Sequence, residues 1–411
     1  MLEAFPRLRN EIDAAPANRG EDVYYILYDR AGISASRLLV SPLGLLIAGR
    51  LDGSSSILDI SDNLSREFGS SVSCQEIETI VAALDDAVFL EGVRFQDFQA
   101  QAARDFRSAV LRPASSAGSA YDDDPAKLAE ELDRMLAEAP HPEEPCHTLS
   151  SPPKGIIIPH IDYMRGAPGY GQAYRTLAEA PAPKTVVVVG TAHLPLRNRY
   201  SLCEKAFDTP LGAVEVDVDL CQKLRQAVKP FCDIDADILA HRGEHSIELQ
   251  AVWIRHVYGE DVRIVPLLAG SLQEFLEGER QPDEALNDPV FKAVAECLGD
   301  AVAGGGVAIM ASADLSHVGP RFGDARDICN QYLAEVEEMD RKYLEAVSDS
   351  PLAGLESLAS HGDQYHVCGS ACIFTMGLAL PGVNASLLGY HQAVTPEMRQ
   401  AVTYASMLFS G

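Results

Sequence analysis

Long apolar runs are missing from this chain of 411 residues. Its hydrophobic stretches fall short of a bilayer's thickness and its N-terminus carries no basic-then-apolar leader pattern, so no membrane span is expected and a cytoplasmic location is. Positive charge is scarce: 33 Lys and Arg stand against 60 Asp and Glu, a formal net charge of -27. Nucleic acid and anionic membranes need a concentrated positive field, so neither is an expected partner, although a local basic patch is compatible with the total. Paired cysteines are lacking too. The nine cysteines are odd in number, scattered and never spaced Cys-x-x-Cys. That fits reduced thiols, mostly small buried hydrophobes, rather than a disulfide framework. No internal repeat or low-complexity block occurs.

What is present is an ordinary globular composition, 47% hydrophobic and 23% charged. The length exceeds one comfortable core, so two or more domains are expected. Residues 22 to 94 read as a small unit. Tyr24–Tyr28 and Arg37–Val40 suit short strands, and Ser41-Pro42 opens a helix running to Leu51. Asp52-Gly53 makes a turn. Ile57, Ile60 and Leu64 give the next helix its apolar stripe and Phe68-Gly69 closes it. Ser73 caps a third helix, striped by Ile77, Ile80, Val81 and Leu84. Ala87–Gly92 suggests a wing-like return. This pattern resembles the small winged-helix domains of the PqqD-like type, which implies a module that binds peptides or partner enzymes; a helical accessory module without chemistry is the plain alternative.

Phe95–Val110 continues as a polar helix joining the domains, and Arg112–Tyr121 is a flexible linker by composition. An amphipathic helix over Pro125–Ala137 and a proline-rich stretch over 140–153 lead to the first core strand. From Lys154 the alternation is that of an α/β sheet. Strands are expected over 155–158, 185–189, 263–268, 307–312, 384–390 and 402–409, with helices over 169–180, 217–227, 246–257, 327–347 and 370–380.

Two of these strands run into a histidine: Gly155-Ile156-Ile157-Ile158-Pro159-His160, and Val186–Val189 followed by Gly190-Thr191-Ala192-His193. A third leads into Asp314-Leu315-Ser316-His317. In open α/β sheets ligands lie beyond the strand ends, so all three segments deliver polar groups to one rim. A strand-end histidine taken alone is more often a satisfied structural residue; two of one kind point to a metal site, since neutral imidazole is the commonest metal ligand. Candidates for a third ligand are Glu244, His245, Asp314 and Cys368. Cys368 is preferred because a helix starts just beyond it, where the helix N-terminus would lower the thiol pKa and favour a thiolate. Asp314 and His317 suit acid/base work or the orienting of a ligand, and His245 could join them. Glu244 and His245 could equally cap the helix that follows. Tyr163 could lean over the site or simply pack, and His366 lies two residues from Cys368.

IIIPHIDY, VVVVGTAHLP, GEHSIELQ, RIVPLLAG, SADLSHVGPRFGD and VCGSACI, in this order, resemble the Memo family, also known as AmmeMemoRadiSam system protein B. RPASSAGSAY resembles that family's opening segment, so the domain is expected over 112–411, after a winged-helix-like module over 1–94 and a helical linker over 95–111. The resemblance implies a mixed central sheet flanked by helices, similar to the class III extradiol dioxygenases. It also implies His160, His193 and Cys368 as metal ligands, with Asp314 and His317 as pocket groups; with His245 from the reading of the residues, these make the expected catalytic set His317, Asp314 and His245. Iron(II) is the first expectation for the metal, with copper or zinc as alternatives. It further implies redox or oxygenase-like chemistry on a small-molecule or peptide-derived substrate, in association with a radical-SAM protein partner. A binding or scaffold protein and a true ring-cleaving dioxygenase are the alternatives. Several positions depart from the family's usual pattern: Asp162 follows the first ligand segment, Leu194 stands where a second histidine is common, and Ser370-Ala371 replaces Arg-His. Val318, Ser116 and Ala120 replace an aromatic, a histidine and a tryptophan.

Overall fold

Runs of Ile and Val resist helix formation because branching at Cβ restricts χ1, and they suit strands buried on both faces. In the computed structural model, which describes residues 4–19, 22–30, 32–144, 149–362 and 364–411, such runs form the parallel centre of a mixed sheet. The chain divides into two compact units, Met1–Ala109 and Val110–Gly411.

The first unit is an antiparallel meander of β1 (Ile12–Arg19), β2 (Asp22–Asp29) and β3 (Arg37–Val40), followed by four helices. These are α1 (Pro42–Ala48), α2 (Ile57–Phe68), α3 (Cys74–Asp86) and α4 (Val93–Ser108). Capping boxes Ser56/Asp59 and Ser73/Glu76 start α2 and α3, and Gly69 ends α2 at φ 63°. The core is Leu27, Val40, Ile47, Ile60, Leu64, Ile77, Val81 and Leu84. Strand β1 has no apolar alternation and carries Pro16, which only an edge position tolerates, so the sequence gives no sign of it. The wing-like return expected over Ala87–Gly92 is not a strand. The chain turns through Val88 at φ 62°, and Leu90 makes one isolated bridge to Leu8. The segment expected as a linker is mostly α4, and the unit holding that helix extends to Ala109.

The second unit begins with β4 (Leu111–Arg112), α5 (Pro125–Ala137), β5 (Gly155–Ile158), α6 (Tyr163–Glu179), β6 (Thr185–Thr191), β7 (Tyr200–Leu202) and β8 (Ala206–Phe207). It continues with α7 (Val218–Val228), α8 (His245–Tyr258), β9 (Arg263–Ala269), α9 (Gln273–Leu276), α10 (Pro289–Ala303), β10 (Val307–Ser312) and β11 (Asp314–Val318). Last come α11 (Asn330–Asp349), α12 (Pro351–Ala359), α13 (Ser370–Ala379), β12 (Asn384–Thr395) and β13 (Gln400–Ser410). Residues 145–148 of the expected proline-rich stretch lie outside the described residues. The sheet order is β11-β13-β5-β10-β6-β9-β7, with β12 on β13. Strands β5, β10, β6 and β9 are parallel; β13 and β7 run against their neighbours. Helices α6 and α8 pack on one face, α7, α10 and α13 on the other. This is a mixed α/β fold with a central mixed sheet flanked by helices. Among the described residues no helix is long and apolar enough to cross a membrane.

Parallel register sets the site. Ser312 lies level with Ile158 and with Gly190, so the three strands end together and their next residues share one rim. The segment read as flexible, Arg112–Tyr121, is instead tied down. Glu248 on α8 accepts from Arg112 and from the hydroxyls of Ser115 and Tyr121, as well as from the Ser116 N–H. Composition alone could not show that a carboxylate over a hundred residues away holds it.

Asp340 on α11 joins the helix layer to the sheet, accepting from Ser316 Oγ at 2.7 Å, Thr403 Oγ1 at 2.6 Å and Tyr390 OH at 2.9 Å. Burial pushes its carboxyl up to about 6 despite these donors. A raised carboxyl pKa contributes full stability below the unfolded value and loses it as pH rises through the folded one. Compared with Asp340→Asn, the wild type should therefore lose up to about 3 kcal/mol of unfolding free energy between pH 4 and pH 7. Urea denaturation of both proteins across that range checks this, and a constant difference would refute it.

Candidate metal centre

Proline at 159 ends β5, and His160 turns inward just beyond it. Its Nδ1 lies 2.9 Å from the Ser312 carbonyl, which can only accept, so Nδ1 carries the hydrogen and Nε2 presents a lone pair. Its backbone N–H, and that of Ile161, donate to Asp314 Oδ1 at 2.8 and 3.2 Å. Burial, with the neighbouring His193 charge adding to it, pushes His160 down to about 3, so the ring is neutral at ordinary pH.

His193 follows β6 by two residues. Glu244 accepts from its backbone N–H at 3.0 Å and lies 3.0 Å from its Nδ1, which again leaves Nε2 presented. The same carboxylate caps α8 by accepting from Ser246 N at 2.9 Å. The two roles considered for Glu244, capping and site chemistry, thus meet in one group, although the group touches His193 through Nδ1. Desolvation by the surrounding protein works against a charged His193, whose ring is partly open to solvent, but the Glu244 carboxylate outweighs it and holds the pKa above its ordinary value. Burial likewise opposes the Glu244 charge, and His193 overrides it to hold that carboxyl well below the usual range. Gln250, one helical turn and more along α8, donates to the Pro159 carbonyl at 2.7 Å and to Ser312 Oγ at 2.8 Å. Its role in bracing the two strand ends was not foreseen, because a helix-borne Gln reads as a neutral choice in sequence.

Cys368 precedes α13, with Sγ 3.4 Å from His160 Nε2. The ligand-capable atoms of His160, His193 and Cys368 all lie within 4.8 Å of one another. The expected lowering of the thiol pKa is not found. Burial, then the nearby Asp314 charge, pushes it well above its ordinary value, so desolvation exceeds the pull of the helix terminus. A thiolate here would need a bound cation to offset that cost. Gly369 lets the loop close in: its N–H donates to the Asp314 carbonyl at 3.1 Å.

Asp314 is buried, and desolvation raises its carboxyl, with His317 and the two backbone donors pulling the other way. Its Oδ2 sits 3.9 Å from His160 Nε2. His317 packs edge-on to Phe322 at 5.1 Å, its Nδ1 3.2 Å from the Leu315 carbonyl, and burial pushes it down to about 4. His245 opens α8 and stacks on His193 at 4.6 Å; burial also brings it to about 4. His160, His193, Cys368, Asp314, His245 and His317 therefore lie about one locus. His193, Glu244 and His245 form a second group whose ligand-capable atoms also lie within 4.8 Å of one another.

Two neighbours do other work. Tyr163 points away, its hydroxyl donating to the Leu249 carbonyl and its ring packed against Tyr121, Tyr170 and Trp253. Asp162 caps α6 and pairs with Arg165 at 2.6 Å. A cleft of about 980 Å³ runs up to His193 past Leu194, Arg197 and Phe231.

The donor set suits a metal ion. Each imidazole has the nitrogen turned away from the cluster fixed by a hydrogen bond, the usual outer support for a bound cation, and a thiol faces one of them. The class defined by fold and site is thus an α/β protein whose strand ends gather a His/His/Cys cluster able to hold one metal. The chain belongs to the Memo family: the family model described as "Memo-like protein" matches residues 112–408. A MEMO1 family protein of Aquifex aeolicus is 25% identical over 397 residues, covering 94% of this chain and 96% of the relative. One from Methanopyrus kandleri is 29% identical, covering 72% and 98% respectively. Among solved structures, an uncharacterised Escherichia coli K12 protein is similar with a TM-score of 0.40 at 14% identity, covering 62% of this chain and 99% of that one.

A Cβ placed at Gly369 would sit 2.4 Å from Ala313 Cβ and 2.5 Å from the Asp314 carbonyl oxygen. Neither neighbour is a flexible side chain, so Gly369→Ala should destabilise the fold by about 1–3 kcal/mol or more, as overpacking does. Chemical denaturation measures this, and an unchanged midpoint would show that the loop carrying Cys368 is free to move.

Proposed function

We propose that this protein holds one metal ion through His160 Nε2, His193 Nε2 and Cys368 Sγ and uses it in redox or oxygenase-like chemistry on a small-molecule or peptide-derived substrate. The observation that carries the reading is the convergence of these three atoms with both imidazole tautomers already set. Iron(II) comes first, since two histidines and an anionic third ligand leave positions open for substrate; the thiol admits copper or zinc. The metal would supply Lewis acidity or an electron. The protein's own groups supply the rest. The Ser312 carbonyl and Glu244 aim the two rings, the cleft beside His193 admits substrate, and His317, neutral at ordinary pH, accepts a substrate proton with Asp314 beside it.

A second reading is a binding protein that holds a peptide or modified residue in this pocket. It is favoured by the Cys368 thiol: the class III extradiol dioxygenases, to which the sequence motifs imply a likeness, carry a glutamate as the third metal ligand. The same feature speaks against a third reading, extradiol ring opening, for which the metal ligands would otherwise suffice. The first unit is proposed as a winged-helix-like module that docks a radical-SAM partner.

Metal analysis of anaerobically purified protein tests the centre. His160→Ala and Cys368→Ala should lose most bound metal, while Glu244→Gln, which frees the His193 ring, should weaken affinity roughly 10–100-fold. Equal metal in wild type, His160→Ala and Cys368→Ala would sink the proposal. For the docking role, a chain beginning at Val110 should fail to capture the radical-SAM partner that the full chain retains. Undiminished capture would remove that role from the first unit.

A further inference from the structure

One oxygen beside the cluster is crowded. Glu244 Oε1 accepts from Ser246 N at 2.9 Å and lies 3.0 Å from His193 Nδ1 and 3.3 Å from His245 Nδ1. Three nitrogens thus face an oxygen with two lone pairs. The two rings stack with centroids 4.6 Å apart and planes at 24°, which leaves both Nδ1 atoms beside the same oxygen. Ligand-capable atoms of His193, Glu244 and His245 all lie within 4.8 Å of one another. Separations of 3.0 and 3.3 Å are near the edge of a tetrahedron about an ion with bonds of about 2.0–2.2 Å, roughly 3.3 Å. The Glu244 side chain is 4% exposed, whereas both rings are 39% exposed, so a cation can reach this group from solvent.

We infer that His193 Nδ1, Glu244 Oε1 and His245 Nδ1 form a second metal site, for a divalent first-row cation such as zinc, outside the cluster of His160, His193 and Cys368. An ion there relieves the crowding. Oε1 keeps the Ser246 N–H on one lone pair and binds the ion with the other, and both Nδ1 lone pairs turn to the ion. Two histidines and a carboxylate, with no thiol, favour such a cation over copper(I). The partial positive charge at the start of α8 opposes a cation, but the full charge of the Glu244 carboxylate, in contact with the ion, exceeds it. The hydrogen on His193 Nδ1 gives way: it moves to Nε2 while the inner centre is empty and leaves to solvent once that centre is filled. With both ions bound, His193 bridges them through its two ring nitrogens. The bridge rests on the metal reading above; the outer site does not, because Glu244 and His245 belong to it alone.

The test is anaerobic titration of cobalt(II) into the metal-free full-length protein, with bound metal counted by equilibrium dialysis and the thiolate absorption marking the inner centre. Wild type should bind two ions, only one of which develops the thiolate band. His245→Ala should bind one and keep the band, and Cys368→Ala should bind one without it. The shared ring should couple the two ions magnetically, so the wild-type EPR spectrum should differ from the sum of the two variants' spectra. A wild type that saturates at one ion with the band, or a His245→Ala protein that still takes two, overturns the outer site. The wild-type count needs no variant, so a substitution that misfolds leaves the test standing. An EPR spectrum equal to that sum overturns the bridge. A wild type holding one ion with no thiolate band, lost in His245→Ala, refutes the inner metal reading and leaves the outer site in place.

Discussion

Three stretches of chain become one locus at Asp314. Its carboxylate accepts the backbone N–H groups of His160 and Ile161, and its own carbonyl accepts that of Gly369. The strand end bearing the first histidine and the loop bearing the cysteine are thus clamped to the same residue, one through its side chain and the other through its carbonyl. Because Asp314 opens β11 immediately after β10 ends, the clamp is built into the sheet rather than hung on a loop. A carboxylate so buried is costly, and its pKa rises accordingly. Nearby His317 and the two N–H donors are what make it tolerable.

A second clamp has the same logic. Glu244 caps α8 and holds His193 by backbone and ring at once, so the orientation of a surface-facing imidazole is set by a buried helix terminus. Glu248, one turn on, secures the opening segment of the domain, and Gln250 braces Pro159 against Ser312. The first turns of α8 therefore organise most of the polar interior around the site. The stretch GEHSIELQ stands out in sequence for this reason, although nothing in its spacing says which of its groups faces where.

Much of the fold was legible because it is written locally. The Ile and Val runs mark the parallel strands, the Ser73 cap marks a helix start, and Gly69 marks a helix end. Strand β1 was not legible, since an edge strand with alanines and a proline owes its conformation to its partner. Nor was the hold of Glu248 on Arg112–Tyr121, a pairing across more than a hundred residues that composition misreads as flexibility.

The two strand-end histidines are a property of the sequence, because proline and the end of an apolar run terminate a strand wherever it lies. So is the family, carried by an ordered series of short motifs. Only the tertiary structure decided that Asp314 and Glu244 brace the ligand segments, that Tyr163 faces the core, and that the Cys368 thiol is pushed up rather than down. Each of these depends on burial and on charges brought close by folding, and neither quantity exists in the chain until distant segments meet.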